Sequence, residues 1–220
     1  MSAAVGRAVP AYFHPALDPL AWDRLARAAL GSGFVVLNVA DGPGSEPDPV
    51  YAATVARLRR AGAPVVGYLD TGYGDRATGE VLLGADRFRE WYGVTGVFLD
   101  RVAAGPEGLD RHRMLVALLR EGGADRVVGN HGTVPDPGYA ALADVLVTFE
   151  GPWREHRRHR PPEWVRSLPV PAVCHLVHSV PAPVTSALVA GRARRAGAGI
   201  VCVTRAGGAN PWDRLPLGIG

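Results

Sequence analysis

The 220-residue chain contains no lysine, so its 24 Lys-plus-Arg side chains are all arginines. It also has no Gly-x-Gly-x-x-Gly or Walker-type loop after a strand, which argues against a nucleotide-binding open sheet. No apolar run approaches the roughly 18 residues that a membrane helix needs, so we expect no membrane partner. No serine lies in a Gly-x-Ser-x-Gly turn, and a Ser-His-Asp hydrolase therefore has no support.

Cysteine is scarce as well. The two cysteines, Cys174 and Cys202, both lie in apolar runs and cannot form a disulfide framework. We expect them to be buried, reduced thiols. The first residues, MSAAVGRAVPAYFHP, lack the roughly 7–15-residue apolar core of a signal peptide, so we expect a cytoplasmic protein.

The overall composition is that of one globular domain over residues 1–220, with 47% hydrophobic and 20% charged residues. The net charge is only +3, and acidic residues are interleaved with the arginines. The densest basic segments are WREHRRHR (153–160) and GRARRAG (191–197). We interpret both as solvated helix faces, since neither carries interleaved aromatics, and we expect no nucleic-acid partner.

Eight short apolar runs alternate with helical patterns along the chain. They are rich in Val and Leu, as expected for strands that are covered on both faces. Strand followed by helix, eight times in one domain, predicts an α/β fold, a compact single (β/α)8 TIM-type barrel. The runs are VPAYF (9–13), GFVVLNV (33–39), PVVGYLD (64–70), GVFLD (96–100), RVVGN (126–130), VLVTFE (145–150), AVCHLVH (172–178) and GIVCVT (199–204).

Each run ends in or beside a polar side chain, and in a parallel barrel these ends meet at the rim that carries the functional site. Side chains alternate inward and outward along a strand. If Asp100 faces the axis, Phe98 does too, and Leu99 faces the helices. The polar ends are His14, Asn38, Asp70, Asp100, Asn130, Glu150, His178 and Thr204.

The same alternation applies to the sixth run, which ends on Glu150. If Glu150 faces inward, the period of two places Thr148 and Leu146 inside the barrel and Phe149 and Val147 outside. An inward Glu150 would then share the rim with the inward carboxylate of the fourth run.

Several longer motifs resemble the spherulation-specific family 4, or spherulin-like, proteins in the same order along the chain. The resemblance implies a (β/α)8 barrel related to glycoside hydrolases, with endo-hydrolysis of α-1,4-linked N-acetylgalactosamine polymers as the activity. The motifs are VPAYFHP, ARLRRAGAPVVGYLDTGYG, WYGVTGVFLD, GTVPDPGYAALADVLVTFEG and NPWDRLP.

The family's candidate catalytic residues are an Asp-Glu pair after strand four and a Glu after strand six. By position the Asp is Asp100 and the last Glu is Glu150, whereas the middle carboxylate falls on Arg101. Glycoside hydrolysis uses two carboxyl groups, and Asp100 and Glu150 could supply both. If the Arg101 guanidinium pointed into the site, it would lower a neighbouring carboxyl's pKa, which disfavours a general acid.

Arg101 therefore leaves several functions open. The protein could be a glycoside hydrolase, an inactive carbohydrate- or metabolite-binding protein, or a cytoplasmic enzyme of diverged chemistry. An Arg101 salt-bridged to both Asp100 and Glu150 would favour the binding protein. An Arg101 that binds substrate would suit an anionic group, which guanidinium grips with two hydrogen bonds.

The expected partner is a small-molecule or oligosaccharide substrate at the rim, and the sequence makes no prediction of oligomeric state. No histidine spacing completes a metal cage, so we expect no metal and no cofactor. His112, His156 and His159 are expected to be solvated, and Trp212 to pack between helices and barrel. The candidate substrate-binding residues are Arg101, Asp70, Tyr73, Asn38, Asn130, His178 and Tyr12.

Overall fold

In the computed structural model, which describes residues 5–219, eight parallel strands close into a barrel in sequence order, confirming the predicted (β/α)8 fold. Strand β8 pairs with β1, so no edge is left open. The strands are β1 (Gly6–Ala11), β2 (Phe34–Leu37), β3 (Val65–Asp70), β4 (Gly96–Asp100), β5 (Val127–Asn130), β6 (Val145–Pro152), β7 (Val173–His178) and β8 (Ile200–Val203).

Seven α-helices lie on the outside of this barrel within the described residues. The segments after β5 and β6 are the short ones, since a 3-10 helix covers Pro137–Ala141 and two helices of four and five residues follow β6. The helices are α1 (Pro19–Arg27), α2 (Pro49–Arg60), α3 (Thr78–Tyr92), α4 (Leu109–Glu121), α5 (Trp153–His156), α6 (Glu163–Ser167) and α7 (Ser186–Arg195).

Local sequence explains where the longer helices begin and end. Helices α1 and α2 each start with an aspartate followed by proline, and the Asp18 and Asp48 carboxylates accept hydrogen bonds from free backbone N–H groups of the first turn. Helix α3 ends at Gly93, whose φ of 64° is left-handed and suits glycine. These caps turn the chain back toward the next strand.

The core has two layers that follow strand parity. Residues that face the axis fill the inside of the barrel, and their neighbours pack outward against the helices. In β4, Phe98 lies inside while Val97 and Leu99 lie outside, as predicted. The buried axial residues include Ala8, Phe34, Val36, Val66, Tyr68, Phe98, Val128, Val145, Val147, Cys174, Leu176, Ile200 and Cys202.

The predicted alternation in β6 is wrong for Leu146 and Val147. Leu146 packs in the outer layer and Val147 inside the barrel, while Phe149 lies outside as expected. The reason is a bulge, because the pairing with β7 skips Thr148 and shifts the register between Val147 and Phe149. Because of the extra residue, the Glu150 side chain faces inward, although it lies three positions after the inward Val147.

Candidate active site

A cleft of about 890 Å3 opens at the carboxyl ends of the strands. It is where barrel enzymes of this topology place their sites. Five of the residues predicted for the site line it: Tyr12, Asn38, Asp100, Asn130 and Glu150.

Asn130, at the end of β5, joins the two predicted catalytic carboxyls. Its Nδ2 donates to Asp100 Oδ1 at 2.7 Å and to Glu150 Oε2 at 2.6 Å. The amide orientation is set from the other side, because the Gly132 backbone N–H donates to Asn130 Oδ1 at 3.0 Å. Both hydrogens of one NH2 group are therefore directed at two different acids, and these acids lie at the same rim.

Asp100 accepts further hydrogen bonds besides that from Asn130. The Tyr68 hydroxyl donates to its Oδ2 at 2.8 Å, and the backbone of Arg101 also bonds to the carboxylate. Burial raises the pKa of Asp100, and these three donors oppose the rise because they favour the charged form. Asp70, its partner in the β3–β4 register, adds a smaller like-charge contribution in the raising direction.

Glu150 has two donors. Its Oε2 accepts from Asn130, and its Oε1 accepts from Trp212 Nε1 at 3.2 Å. Burial raises the pKa of Glu150, the Asn130 hydrogen bond opposes this, and the charge of Asp100 raises it further. Burial and, at Glu150, the charge of Asp100 thus shift both carboxyls toward the protonated form.

Aromatic rings form one wall beside this pair. Tyr12 meets Tyr68 edge-on with 5.5 Å between ring centroids, and both rings line the cleft. Burial and the neighbouring Asp100 raise the pKa of both phenols, so both remain neutral donors at ordinary pH. Asn38 lies on the neighbouring loop, where its side-chain oxygen accepts from the Gly42 backbone N–H at 2.9 Å.

Asp70, Tyr73 and Arg101 were predicted to bind substrate, but the structure places them beside the cleft and not among its lining residues. Arg101 Nε pairs with Asp70 Oδ1 at 3.0 Å, and its guanidinium lies 5.4 Å from the Tyr73 ring centroid. Arg76 pairs with the other oxygen of Asp70 at 3.3 Å. The guanidinium of Arg101 is therefore held by Asp70, and the arrangement expected for a pure binding protein is not formed.

The backbone explains why Arg101 turns aside. Its φ is 51°, a left-handed value that is uncommon outside glycine, and it follows directly after β4. At this turn the Arg101 carbonyl accepts from the Tyr73 backbone N–H at 2.6 Å. Its predicted role in contacting substrate stays a prediction.

His178, also predicted for the site, lies at the end of β7 but outside the cleft lining. Its Nδ1 lies 3.0 Å from Ser179 Oγ, and its ring packs edge-on 6.1 Å from that of Trp212. His178 thus contacts the ring of Trp212. Together with Asp70, Tyr73 and Arg101, it belongs to the surroundings of the cleft.

Two residues of the site were missed or misassigned. Trp212, expected to pack between helices and barrel, instead covers the top of the barrel interior and donates to Glu150. Tyr68 was not predicted, although strand parity could have found it, since it lies two residues before Asp70 and beside Phe98 in register. Nothing in the spacing around Trp212 indicated its position, because it lies in an irregular segment after β8.

The expectation of solvated histidines is wrong for His112 and His156, which are 6% and 1% exposed. His112 packs against the Tyr139 ring at 5.3 Å, and His156 lies 3.0 Å from His175 through Nε2 and Nδ1. Burial lowers the pKa of both His112 and His156 to about 4, which keeps them neutral and makes the burial tolerable.

Within residues 5–219, no group of three or more His, Cys, Asp or Glu side chains has an arrangement that could hold a metal ion. In the same part of the chain, no helix has the length and apolar character needed to cross a membrane. Cys174 and Cys202 are free thiols inside the barrel.

Comparisons with known proteins agree with this architecture. Spherulin-4 of Physarum polycephalum is 34% identical over 147 residues, which are 64% of this chain and 43% of that protein. The crystal structure of Aspergillus clavatus Sph3 in complex with GalNAc is similar with a TM-score of 0.80 and 26% identity, over 98% of this chain and 94% of that one.

A chitinase from Chromobacterium violaceum shares the fold with a TM-score of 0.52 and 13% identity, over 80% of this chain and 69% of that one. A family model described as spherulation-specific family 4 matches residues 8–218. Because that match spans nearly the whole barrel, the chain belongs to spherulation-specific family 4.

Proposed function

We propose that the protein is a glycoside hydrolase that cleaves a polymer of N-acetylated amino sugars with Asp100 and Glu150. The observation that carries the proposal is the pair of buried carboxyls that share the Asn130 amide inside a rim cleft. A retaining or inverting glycosidase needs two such groups, one protonated and one ionised. Burial, which raises both pKa values, favours a protonated acid here.

The spacing favours the retaining mechanism. The two hydrogen bonds from Asn130 are 2.7 and 2.6 Å long, and laid end to end they limit Asp100 Oδ1 and Glu150 Oε2 to at most about 5.3 Å apart. Retaining enzymes place their carboxyls roughly 5–5.5 Å apart, whereas inverting ones need roughly 6.5–9.5 Å to admit a water. We therefore expect the α-anomer to be released from an α-linked substrate.

The hydrogen bonds that Asp100 accepts indicate which of the two carboxyls is the nucleophile and which is the general acid. Asp100 accepts from Tyr68, Asn130 and the Arg101 backbone, and these donors favour its ionised form. Asp100 is then the nucleophile that attacks the anomeric carbon, while Glu150 donates its proton to the leaving oxygen. In the second half, Glu150 removes a proton from water, which attacks the glycosyl ester and frees Asp100.

The cleft lining supports a neutral or cationic sugar more than an anionic one. Besides Asp100 and Glu150 it includes Asp18, Asp41 and Asp213, and the described lining contains no arginine. The aromatic faces of Tyr12 and Trp212 provide surfaces on which a sugar ring could stack. The anionic group that Arg101 would have suited therefore fits this cleft poorly.

N-acetylgalactosamine is the sugar we propose. Sph3, which has a TM-score of 0.80 against this chain, is described in complex with GalNAc, and both chains are of nearly the same extent. The chitinase neighbour supports the fold alone. An inactive carbohydrate-binding protein is the second candidate. The family pattern leads us to expect a Glu where this chain has Arg101, so one of the family's three carboxylates is missing.

Incubation with α-1,4-linked N-acetylgalactosamine oligomers would separate the two candidates. The hydrolase should release new reducing ends, and NMR of the first product should show the α-anomer. Asp100→Asn and Glu150→Gln should each slow this release by roughly 10²-fold or more while still binding the oligomer in calorimetry. Oligomer binding by the wild-type protein without any product would establish the binding protein instead, and neither binding nor product would refute the substrate.

A further inference from the structure

A second cavity lies on the outer wall of the barrel, where the two arginine-rich segments of the sequence meet. It measures about 240 Å3 and shares no lining residue with the cleft. Segments 153–160 and 191–197 were each expected to be a solvated helix face, but both contribute to it. The basic pocket is lined by His156, His159, Arg160, Arg166, Arg192 and Arg195, with Pro161 and Ala196.

The positive charge of the basic pocket has no carboxylate to balance it. Among the described residues no acid lines it, and none of its four arginines forms an ion pair. The neighbouring Glu155 pairs with Arg154 instead, at 3.5 Å. Arg192 donates to the backbone carbonyls of His156 and Arg157, which carry no net charge.

The arginines also repel one another. Burial and then the charges of Arg160, Arg195 and Arg157 lower the pKa of Arg192. Arg160 likewise contributes to the lowered pKa of His159, after burial. An anion that entered the basic pocket would remove this repulsion, because each guanidinium would gain an opposite charge.

The histidine pair supplies an independent sign of a missing acceptor. His156 Nε2 lies 3.0 Å from His175 Nδ1, while His156 Nδ1 and His175 Nε2 are buried without a partner. A neutral imidazole has one N–H, so whichever ring donates in this bond, the pair keeps one N–H that has no acceptor. When His175 donates, the orphan proton lies on Nδ1 of His156, a lining residue of the basic pocket; when His156 donates, it lies on Nε2 of His175, which does not line the pocket.

We propose that the basic pocket binds a tetrahedral oxyanion, a free phosphate or a small phosphate monoester. Guanidinium groups bind phosphate oxygens with paired, charge-assisted hydrogen bonds, and four of them around one cavity suit a dianion. A phosphate also accepts from an imidazole N–H. The volume admits a phosphate with a small organic group attached. The residues lie on α5, α6 and α7, on the segment between α5 and α6, and directly after α7.

Titration calorimetry with inorganic phosphate tests the proposal at constant ionic strength, with chloride as the balancing anion. Wild-type protein should bind one phosphate, and the double variant Arg160→Gln/Arg195→Gln should bind it at least about tenfold more weakly, since it loses two charge-assisted hydrogen-bond donors. Arg158→Gln is the matched control, an exposed arginine in the same segment that does not line the pocket. It should bind phosphate as the wild type does.

Equal phosphate affinity in the wild type and the double variant, or no binding in either, would overturn the proposal. Both changed positions are exposed, so the double variant should melt at or above the wild-type temperature without phosphate, which checks that it folds. The same binding measurement is then made with hexose 6-phosphate and with phosphatidic acid vesicles. Binding of the hexose phosphate supports a soluble ligand, whereas binding of vesicles alone would assign the arginines to a lipid surface and overturn the soluble site.

Discussion

Replacing Asp100 by Asn should stabilise the protein at neutral pH. Burial raises the pKa of Asp100, so the fold favours the neutral carboxyl, and its ionised form lowers the free energy of unfolding above that pKa. Asparagine removes the charge and keeps the contacts. Its Oδ1 can still accept from Asn130, and its NH2 can donate to Tyr68, whose hydroxyl accepts as well as donates.

We expect the gain to be roughly 0.5–2 kcal/mol, the range for relieving an unfavourable functional group. In a domain of this size that raises Tm by about 2–4 °C per kcal/mol. The gain should shrink as pH falls and vanish below about pH 4, because Asp100 is then protonated in both the folded and unfolded states. Comparing variant and wild type at each pH cancels the contribution of the buried histidines.

Denaturant unfolding followed by circular dichroism from pH 7 down to pH 4 measures this difference. Asp110→Asn serves as the matched control, since the Asp110 side chain is 96% exposed and its change should stay within about 0.5 kcal/mol. Activity of Asp100→Asn should fall by roughly 10²-fold or more. An Asp100→Asn protein that melts several degrees lower at pH 7, with ligand binding untouched, would show that the carboxylate is structural and that our site is wrong.

Three further predictions concern Asn130 in the cleft, Arg101 beside the cleft and the two cysteines inside the barrel. Asn130→Ala should lower the free energy of unfolding by roughly 1–3 kcal/mol in denaturant titrations, because two buried carboxyls lose a donor. It should also move the pH optimum upward, since that donor lowers both pKa values; an unchanged pH-rate profile would contradict the shared role. Arg101→Ala should raise KM more than it lowers kcat in steady-state kinetics, and a loss confined to kcat would refute a binding role. Cys174 and Cys202 should both react in a thiol titration of the denatured, non-reduced protein, and finding neither would contradict reduced thiols.

The fold was predictable because its signals are local and repeated. Each strand is a short apolar run, and the rim is marked by the polar residues that end β3, β4 and β5 and by Glu150 near the end of β6. Parity in β4 placed Phe98 inside and Leu99 outside without any knowledge of the neighbouring strands. The same rule, applied to β3, would have found Tyr68.

The predictions that were wrong or missing concern residues whose positions depend on contacts between segments that are distant in the sequence. The bulge at Thr148 arises in the pairing of β6 with β7, and nothing in the β6 sequence alone indicates it. His156 lies on a segment with many arginines, yet it is buried against His175, 19 residues later. Trp212 reaches Glu150 from 62 residues away, through an irregular segment that has no hydrophobic period.

Describing Arg101 required both the local sequence pattern and the contacts between distant segments. Position in the sequence identified it as the residue where the family pattern changes, and the structure shows that its backbone adopts a left-handed φ of 51°. Sequence alone could not assign its partner, because Asp70 belongs to a different strand and meets it only through the register that pairs Asp70 with Asp100.

The bulge in β6 affects how distant barrels should be aligned. One inserted residue, Thr148, reverses which later side chains face the axis, so Glu150 and Val147 both point inward although they are three residues apart. A relative without the insertion would carry its inward acid one position earlier. Alignments that forbid gaps inside strands would then match that acid to Phe149 and report a lost carboxylate. A single insertion or deletion within a strand can thus move an acid between the helix layer and the cleft while the apolar pattern on either side is kept.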